Sequence, residues 1–185
     1  MKLSIIIPCY NESESLSILL DKCLKILDRD IEVILVDNGS TDNTFQKLSN
    51  MNLPKNIILH KIPINKGYGN GILQGLKEAK GKFISWTHAD LQTDPYDTIR
   101  GFEKYKKKLS TNVYIKGKRY GRKIKDTFFT IGMSFFESIL LGKFLWDINA
   151  QPNIIHKKFF KSLNKIPLDF SLDLFFYYNA KKQNL

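Results

Sequence analysis

The sequence predicts an α/β domain built on a mostly parallel sheet. Two patterns carry this expectation. Short β-branched apolar runs alternate with segments of helical spacing. The polar clusters that interrupt them fall directly after strand-like runs, at the edge where open α/β sheets bind ligands. A chain of 185 residues holds one domain with a real core and is short for two.

Residues 3–8 form a continuous apolar run, as in a strand buried on both faces. Residues 13–27 place Leu16, Leu19, Leu20, Cys23, Leu24 and Leu27 at helical spacing, with Ser13 as the expected cap. A second buried-type strand follows at 31–36, a short helix at 42–48 and a third strand at 57–62. Residues 69–80 read as a helix entered through a glycine-rich turn, 82–87 as a fourth strand, 97–109 as a polar-faced helix and 113–116 as a fifth strand. Repeats, low-complexity tracts and linkers are lacking in this pattern, so residues 1–185 are expected to form a single domain.

The net charge is +11, from 29 Lys and Arg against 18 Asp and Glu. Such an excess favours anionic partners, namely nucleotides, phosphorylated lipids, anionic membranes or nucleic acid; a genome rich in Lys, Ile and Asn codons would also produce it. Nucleic acid is disfavoured because the basic residues lie in a loop and tail rather than in a known module. Cys9 and Cys23 lack metal-ligand or CxxC spacing and are expected as buried thiols in a reducing cytoplasm. The amino terminus opens at once on a strand pattern, so no signal peptide is expected. The nearest approach to a membrane span, residues 128–146, is interrupted by Glu137 and Lys143.

Three polar clusters carry chemistry. The segment Ser85-Trp86-Thr87-His88-Ala89-Asp90-Leu91-Gln92 spaces His88, Asp90 and Gln92 two apart. In an extended backbone these side chains point the same way, and their lone pairs suit a divalent cation holding a diphosphate. Asp37-Asn38-Gly39-Ser40-Thr41-Asp42-Asn43-Thr44 reads as a turn and helix cap. That leaves the carboxylate of Asp37 at the strand end, able to accept hydrogen bonds from a base or ribose. Asn65-Lys66-Gly67-Tyr68-Gly69-Asn70-Gly71 either cradles a phosphate at a helix N-terminus or lets the backbone pass close to the sugar-nucleotide loop. It is neither a Walker loop nor a dinucleotide fingerprint.

Taken in order, Ser4-Ile5-Ile6-Ile7-Pro8-Cys9-Tyr10-Asn11-Glu12, Val36-Asp37-Asn38-Gly39-Ser40-Thr41-Asp42, Asn65-Lys66-Gly67 and Ala89-Asp90-Leu91-Gln92 resemble family 2 glycosyltransferases with the GT-A fold. The Asp-Leu-Gln form and the later Gly117-Lys118-Arg119-Tyr120 are similar to the dolichyl- and polyprenyl-phosphate mannose and glucose synthases. The resemblance is strong over residues 2–125. It implies a nucleotide-sugar-binding half at about 1–92 and an acceptor-binding half at about 93–185, short at its C-terminal end. It also implies donor contacts from Pro8, Tyr10, Glu12, Asp37, His88, Ala89, Asp90 and Gln92, with Asp90 catalytic through a Mg²⁺ or Mn²⁺ ion held with Gln92. His88 stands where the family has an acidic residue. Imidazole tolerates Mn²⁺ better than Mg²⁺, so Mn²⁺ is the favoured ion. The outcomes of this exchange are altered metal preference, weaker metal dependence or lost activity.

Residues 116–125 carry six positive charges and run into an apolar segment, which suits a phosphate on a lipid tail; a solvated loop before a core helix has the same pattern. Lys118, Arg119, Arg122 and Gln151 are the expected acceptor contacts, and Arg119 matches a lipid-phosphate arginine of the resembled subgroup. The implied reaction is inverting transfer of a hexose from a GDP- or UDP-sugar to a polyprenyl phosphate, by an enzyme peripheral to the cytoplasmic membrane face. A hydroxyl of a cell-surface glycan is the alternative acceptor. It would need a general base from Asp147, Asp169 or Asp173, and Asp173 is the expected one. A nucleotide-sugar-binding subunit without turnover is the non-enzyme alternative. His60 and His156 are expected to be structural.

Overall fold

The computed structural model describes residues 2–121 and 124–185, with backbone only at 124–130 and 133. The elements run β1 (Leu3–Cys9), α1 (Leu16–Ile26), β2 (Ile31–Asn38), α2 (Thr44–Ser49), β3 (Ile57–Ile62), α3 (Tyr68–Glu78), β4 (Phe83–Trp86), α4 (Pro95–Lys104), β5 (Tyr114–Lys116), α5 (Ile124–Leu141), β6 (Asn153–His156), α6 (Lys157–Lys161) and α7 (Leu172–Lys182). The sheet has six strands in the order β3-β2-β1-β4-β6-β5. β1 pairs in parallel with β2 and β4, and β2 with β3. β6 is antiparallel to both β4 and β5.

The apolar runs are continuous because both sheet faces are covered. Ile5 and Ile7 pack with Leu16, Leu19 and Cys23 on one side. Ile6 packs with Ile72, Leu76, Trp86 and Phe176 on the other. Each such side chain, taken fully from water, contributes about 1.5–3 kcal/mol.

The expected strands and helices form within a few residues of their predicted positions, with three differences. Ser13 does not cap α1. The helix begins at Leu16, and the Ser13 N–H instead donates to the Asp42 carboxylate at 3.2 Å. α4 starts earlier than expected, at Pro95, where Asp94 accepts the Tyr96 N–H at 2.9 Å. Pro suits that first helical position because its missing N–H has no partner to lose. The third difference is β6. The strand pattern read from the sequence ends with the fifth strand at 113–116, yet Asn153–His156 forms a fully buried strand between β4 and β5. Four residues carry too little periodicity to announce a strand.

The loops at the C-terminal strand edge are stitched to each other. Asn11 Oδ1 accepts the Thr41 N–H at 2.9 Å and the Asp42 N–H at 3.3 Å. Its own N–H donates to Ser40 Oγ at 3.1 Å, and the Glu12 N–H donates to Thr44 Oγ1 at 2.8 Å. Most of the Ser-Thr-Asp-Asn-Thr run is therefore spent joining the β1–α1 and β2–α2 loops.

Gly39 has φ +72°, and a Cβ there would lie 2.3 Å from the Asn65 backbone nitrogen. Gly39→Ala is expected to cost at least about 2 kcal/mol, from left-handed strain plus the backbone clash, measured as a lowered denaturation midpoint. Cys9 and Cys23 are buried free thiols, as expected. Burial first, and then the charge of Asp94, pushes the Cys23 thiol up from 9.0 to about 12. Between those values the unfolded chain releases a proton that the native state keeps, so stability falls as pH rises above 9.0. Cys23→Ala is expected to flatten part of the alkaline fall in melting temperature.

Candidate active site

The strand ends bring Tyr10–Glu12 after β1, Asp37–Thr44 at the end of β2 and His88–Gln92 after β4 to one edge. Asp37 closes β2 nearly buried at 1% exposure, and its Oδ1 accepts the Ser40 N–H at 3.3 Å. Pro8 is half-buried on β1 and Tyr10 is exposed just beyond it. Glu12, expected in the nucleoside pocket, turns toward α1, where its carboxylate accepts the Ser15 hydroxyl at 2.6 Å.

After β4 the backbone bends. Leu91 has φ +61°, a conformation that costs a branched residue about 1–2 kcal/mol, and Asp90 Oδ1 accepts the Gln92 N–H at 3.0 Å. The extended i, i+2, i+4 alignment expected for His88, Asp90 and Gln92 is therefore not formed. Asp90 and Gln92 are exposed, Ala89 is buried, and the half-buried His88 ring stacks on Tyr68 with centroids 5.4 Å apart. Among the described residues no three His, Cys, Asp or Glu side chains gather into a metal cage. Residues 88–92 supply an imidazole, an exposed carboxylate and an amide at the strand end, a donor set whose chemistry fits a cation with diphosphate oxygens and water as its other ligands.

The glycine run does not cradle a phosphate. Residues 167–169 cross the N-terminus of α3, and the Asn70 N–H donates to the Leu168 carbonyl at 2.9 Å. A Cβ at Gly69 would meet the Asp169 carbonyl oxygen at 2.6 Å. The run passes close to two segments, the loop expected to bind the sugar nucleotide, where Gly39 meets Asn65, and residues 167–169 at Gly69, and the Leu168 carbonyl already takes an N–H at the positive end of the helix.

Under the β4 end lies a buried polar network that sequence reasoning did not assemble. Asp173, 3% exposed, accepts hydrogen bonds from Trp86 Nε1 at 2.8 Å, Asn153 Nδ2 at 3.0 Å, Gln151 Nε2 at 3.2 Å and the Tyr68 hydroxyl at 3.3 Å. Burial pushes its carboxyl above the usual range, against the pull of the Trp86 N–H and the Lys116 charge. Burial, then Asp173, pushes the Tyr68 hydroxyl well above its usual range. The general-base role expected for Asp173 meets a physical obstacle, since its carboxylate is enclosed and faces donors. Gln151, expected on the acceptor side, turns its amide into this network. Of these partners only Gln151 and Asp173 carried a signal in the sequence.

The basic run is partly withdrawn. Lys116 is held by the carbonyls of Ile148 and Ala150, and burial lowers its ammonium to about 8. Arg119 pairs with Asp147, a residue 5% exposed, through Nε at 2.6 Å and its own N–H at 2.9 Å. Arg122 lies outside the described residues. Lys118 is exposed. A cleft of about 780 Å³ runs from Gln92 and Thr93 between α4 and the β5 loop, where Arg100 and Lys104 face the side that carries Lys118 and Arg119. The two α4 cations were not expected, because α4 read only as a polar-faced helix.

Over 105 residues the chain is 41% identical to the undecaprenyl-phosphate 4-deoxy-4-formamido-L-arabinose transferase of Yersinia pestis bv. Antiqua (strain Angola). The match covers 54% of this chain and 32% of that protein, so it spans about a third of the relative's length. The same-named protein of Proteus mirabilis (strain HI4320) is 38% identical over equal coverage. Among solved structures, glucosyl-3-phosphoglycerate synthase from Mycobacterium tuberculosis, in complex with Mn²⁺, UDP and phosphoglyceric acid, shares the GT-A fold. It has a TM-score of 0.75 at 16% identity, covering 98% of this chain and 64% of that one. The mannosyltransferase PcManGT from Pyrobaculum calidifontis, in complex with GDP-Man and Mn²⁺, has a TM-score of 0.67 at 20% identity, over 93% of this chain and 49% of that one. The Glycosyl transferase family 2 profile matches residues 4–169, and the chain belongs to that family.

Proposed function

We propose that this domain transfers a sugar, with inversion, from a nucleoside diphosphate sugar to a polyprenyl phosphate at the cytoplasmic membrane face. The observation that carries the proposal is a basic cleft opening directly from the Asp90–Gln92 bend. It sets a site for an anionic acceptor beside the end of the strand edge suited to a diphosphate. The undecaprenyl-phosphate transferases similar to this chain support a lipid phosphate as that acceptor.

In this reading Asp37 accepts hydrogen bonds from the base or ribose, Tyr10 and Pro8 border the nucleoside, and Asp90 with His88 and Gln92 faces the diphosphate. A divalent cation, when bound there, neutralises the charge growing on the departing diphosphate. Lys118, Arg100 and Lys104 hold the acceptor phosphate for attack on the face opposite the leaving group, and Arg119 keeps its orientation through Asp147. A phosphate is already anionic near neutral pH, so the attack needs no base. That agrees with the enclosure of Asp173.

The apolar side chains on the described end of α5 support peripheral membrane contact. Phe135, Phe136, Ile139 and Leu140 are each more than 60% exposed, as is Phe144 just beyond. No helix among the described residues is long and apolar enough to cross a membrane.

Three experiments test the proposal. UDP- and GDP-sugars are expected to raise the melting temperature with Mn²⁺ and less with chelator, by the equivalent of about 2.7 kcal/mol at a hundredfold excess over Kd, and Asp90→Asn should abolish the shift. No nucleotide-sugar binding under any condition would sink the reading. Lys118→Ala with Arg100→Ala should slow transfer to undecaprenyl phosphate roughly tenfold or more while leaving donor binding intact. In vesicle flotation the wild type should rise with phosphatidylglycerol vesicles, and a Phe135→Ser, Ile139→Ser, Leu140→Ser variant should stay behind.

A further inference from the structure

Half-buried Tyr68 is held at its hydroxyl and by stacking rings. Its hydroxyl donates to Asp173 Oδ2 at 3.3 Å and receives the Gln151 amide at 3.2 Å. One ring face stacks on Phe170, with centroids 5.2 Å apart and planes 9° from parallel. The ring also stacks on His88 at 5.4 Å and 23°. Its backbone is fixed too, because it opens α3 between two glycines over which residues 167–169 pass closely. Asp173 in turn is anchored by Trp86 from β4 and Asn153 from β6. A rigid path thus runs from the sheet through a carboxylate and a phenol to the imidazole that sits two residues before Asp90.

The geometry points to Tyr68 as a positioning residue for the donor-diphosphate site: anchored by Asp173, it fixes the plane of the His88 imidazole at the end of β4. This inference rests on the reading of that strand end as the diphosphate site. A single carboxylate leaves the placement of any further cation ligand to a side chain with free torsions. An imidazole held by stacking loses less rotational freedom on binding than one free in solvent. Residues that orient a metal ligand commonly alter metal affinity about 10–100-fold when removed.

The test follows MnCl₂ with UDP or GDP by electron paramagnetic resonance of free Mn²⁺, and the His88 ring protons by NMR, assigned through His88→Ala. Wild-type His88 should show upfield ring-current shifts from Tyr68. Tyr68→Phe retains the stacking ring but loses the hydroxyl that Asp173 anchors, so it should keep only part of the shifts and of the affinity. Tyr68→Leu should lose the shifts and weaken Mn-nucleotide binding roughly tenfold or more, and Asp173→Asn should lie between. Far-UV circular dichroism and melting temperatures confirm that each variant is folded. In the His88→Ala background Tyr68→Leu should weaken binding no further, since the two act as one unit; a purely structural tyrosine would cost the same in both backgrounds. The inference is overturned if Tyr68→Leu leaves the His88 shifts unchanged, or if its effect on binding survives in His88→Ala. Failure of the wild type to bind Mn²⁺ with either nucleotide would sink the functional reading instead, and the His88 shifts would still decide whether Tyr68 positions the ring.

Discussion

The buried carboxylate of Asp173 ties together parts of the chain that share no sequence neighbourhood. It reaches Trp86 at the end of β4, Asn153 at the start of β6, Gln151 in the loop before it and Tyr68 at the start of α3. A carboxylate in a low-dielectric interior is costly unless donors surround it, and here they do. Removing it would strand several buried donors at once. The same cost that enforces the network holds the antiparallel β6 against β4 and fixes the floor beneath His88.

Around this anchor the site is assembled by two kinds of closure. Side chains such as Asn11 and Thr44 pin the β1–α1 loop to the β2–α2 loop. Residues without side chains, Gly39 and Gly69, let backbones approach to distances that a Cβ would forbid. Both hold the loops around Asp37 at the C-terminal strand edge with few degrees of freedom. The basic cleft adds charge on the flank of that edge, lined from α4 and the β5 loop together.

Charge in this protein has to be read after folding. Residues 116–125 look like a uniform basic loop, but Lys116 is drawn inward by two carbonyls and Arg119 is paired with Asp147. What remains in that loop among the described residues is Lys118, joined by Lys104 and by Arg100, itself paired with Asp97 at 3.3 Å, from a helix that gave no sign of taking part. Spacing along a chain records which charges are adjacent in sequence. It does not record which are neutralised by a partner thirty residues away.

The amino-acid sequence alone determined the layered α/β architecture, because apolar runs of strand length and helices of regular spacing are local properties set by burial on two faces. It also determined the edge where the polar clusters meet, since each follows its own strand. The tertiary structure alone decided the rest. The insertion of β6 depends on pairing across the sheet. The bend at Leu91 turns Asp90 and Gln92 out of the extended alignment their spacing suggested. The enclosure of Asp173 and the stacking of His88 on Tyr68 arise from contacts between residues 20 to 105 apart in sequence, a range over which local pattern carries no information.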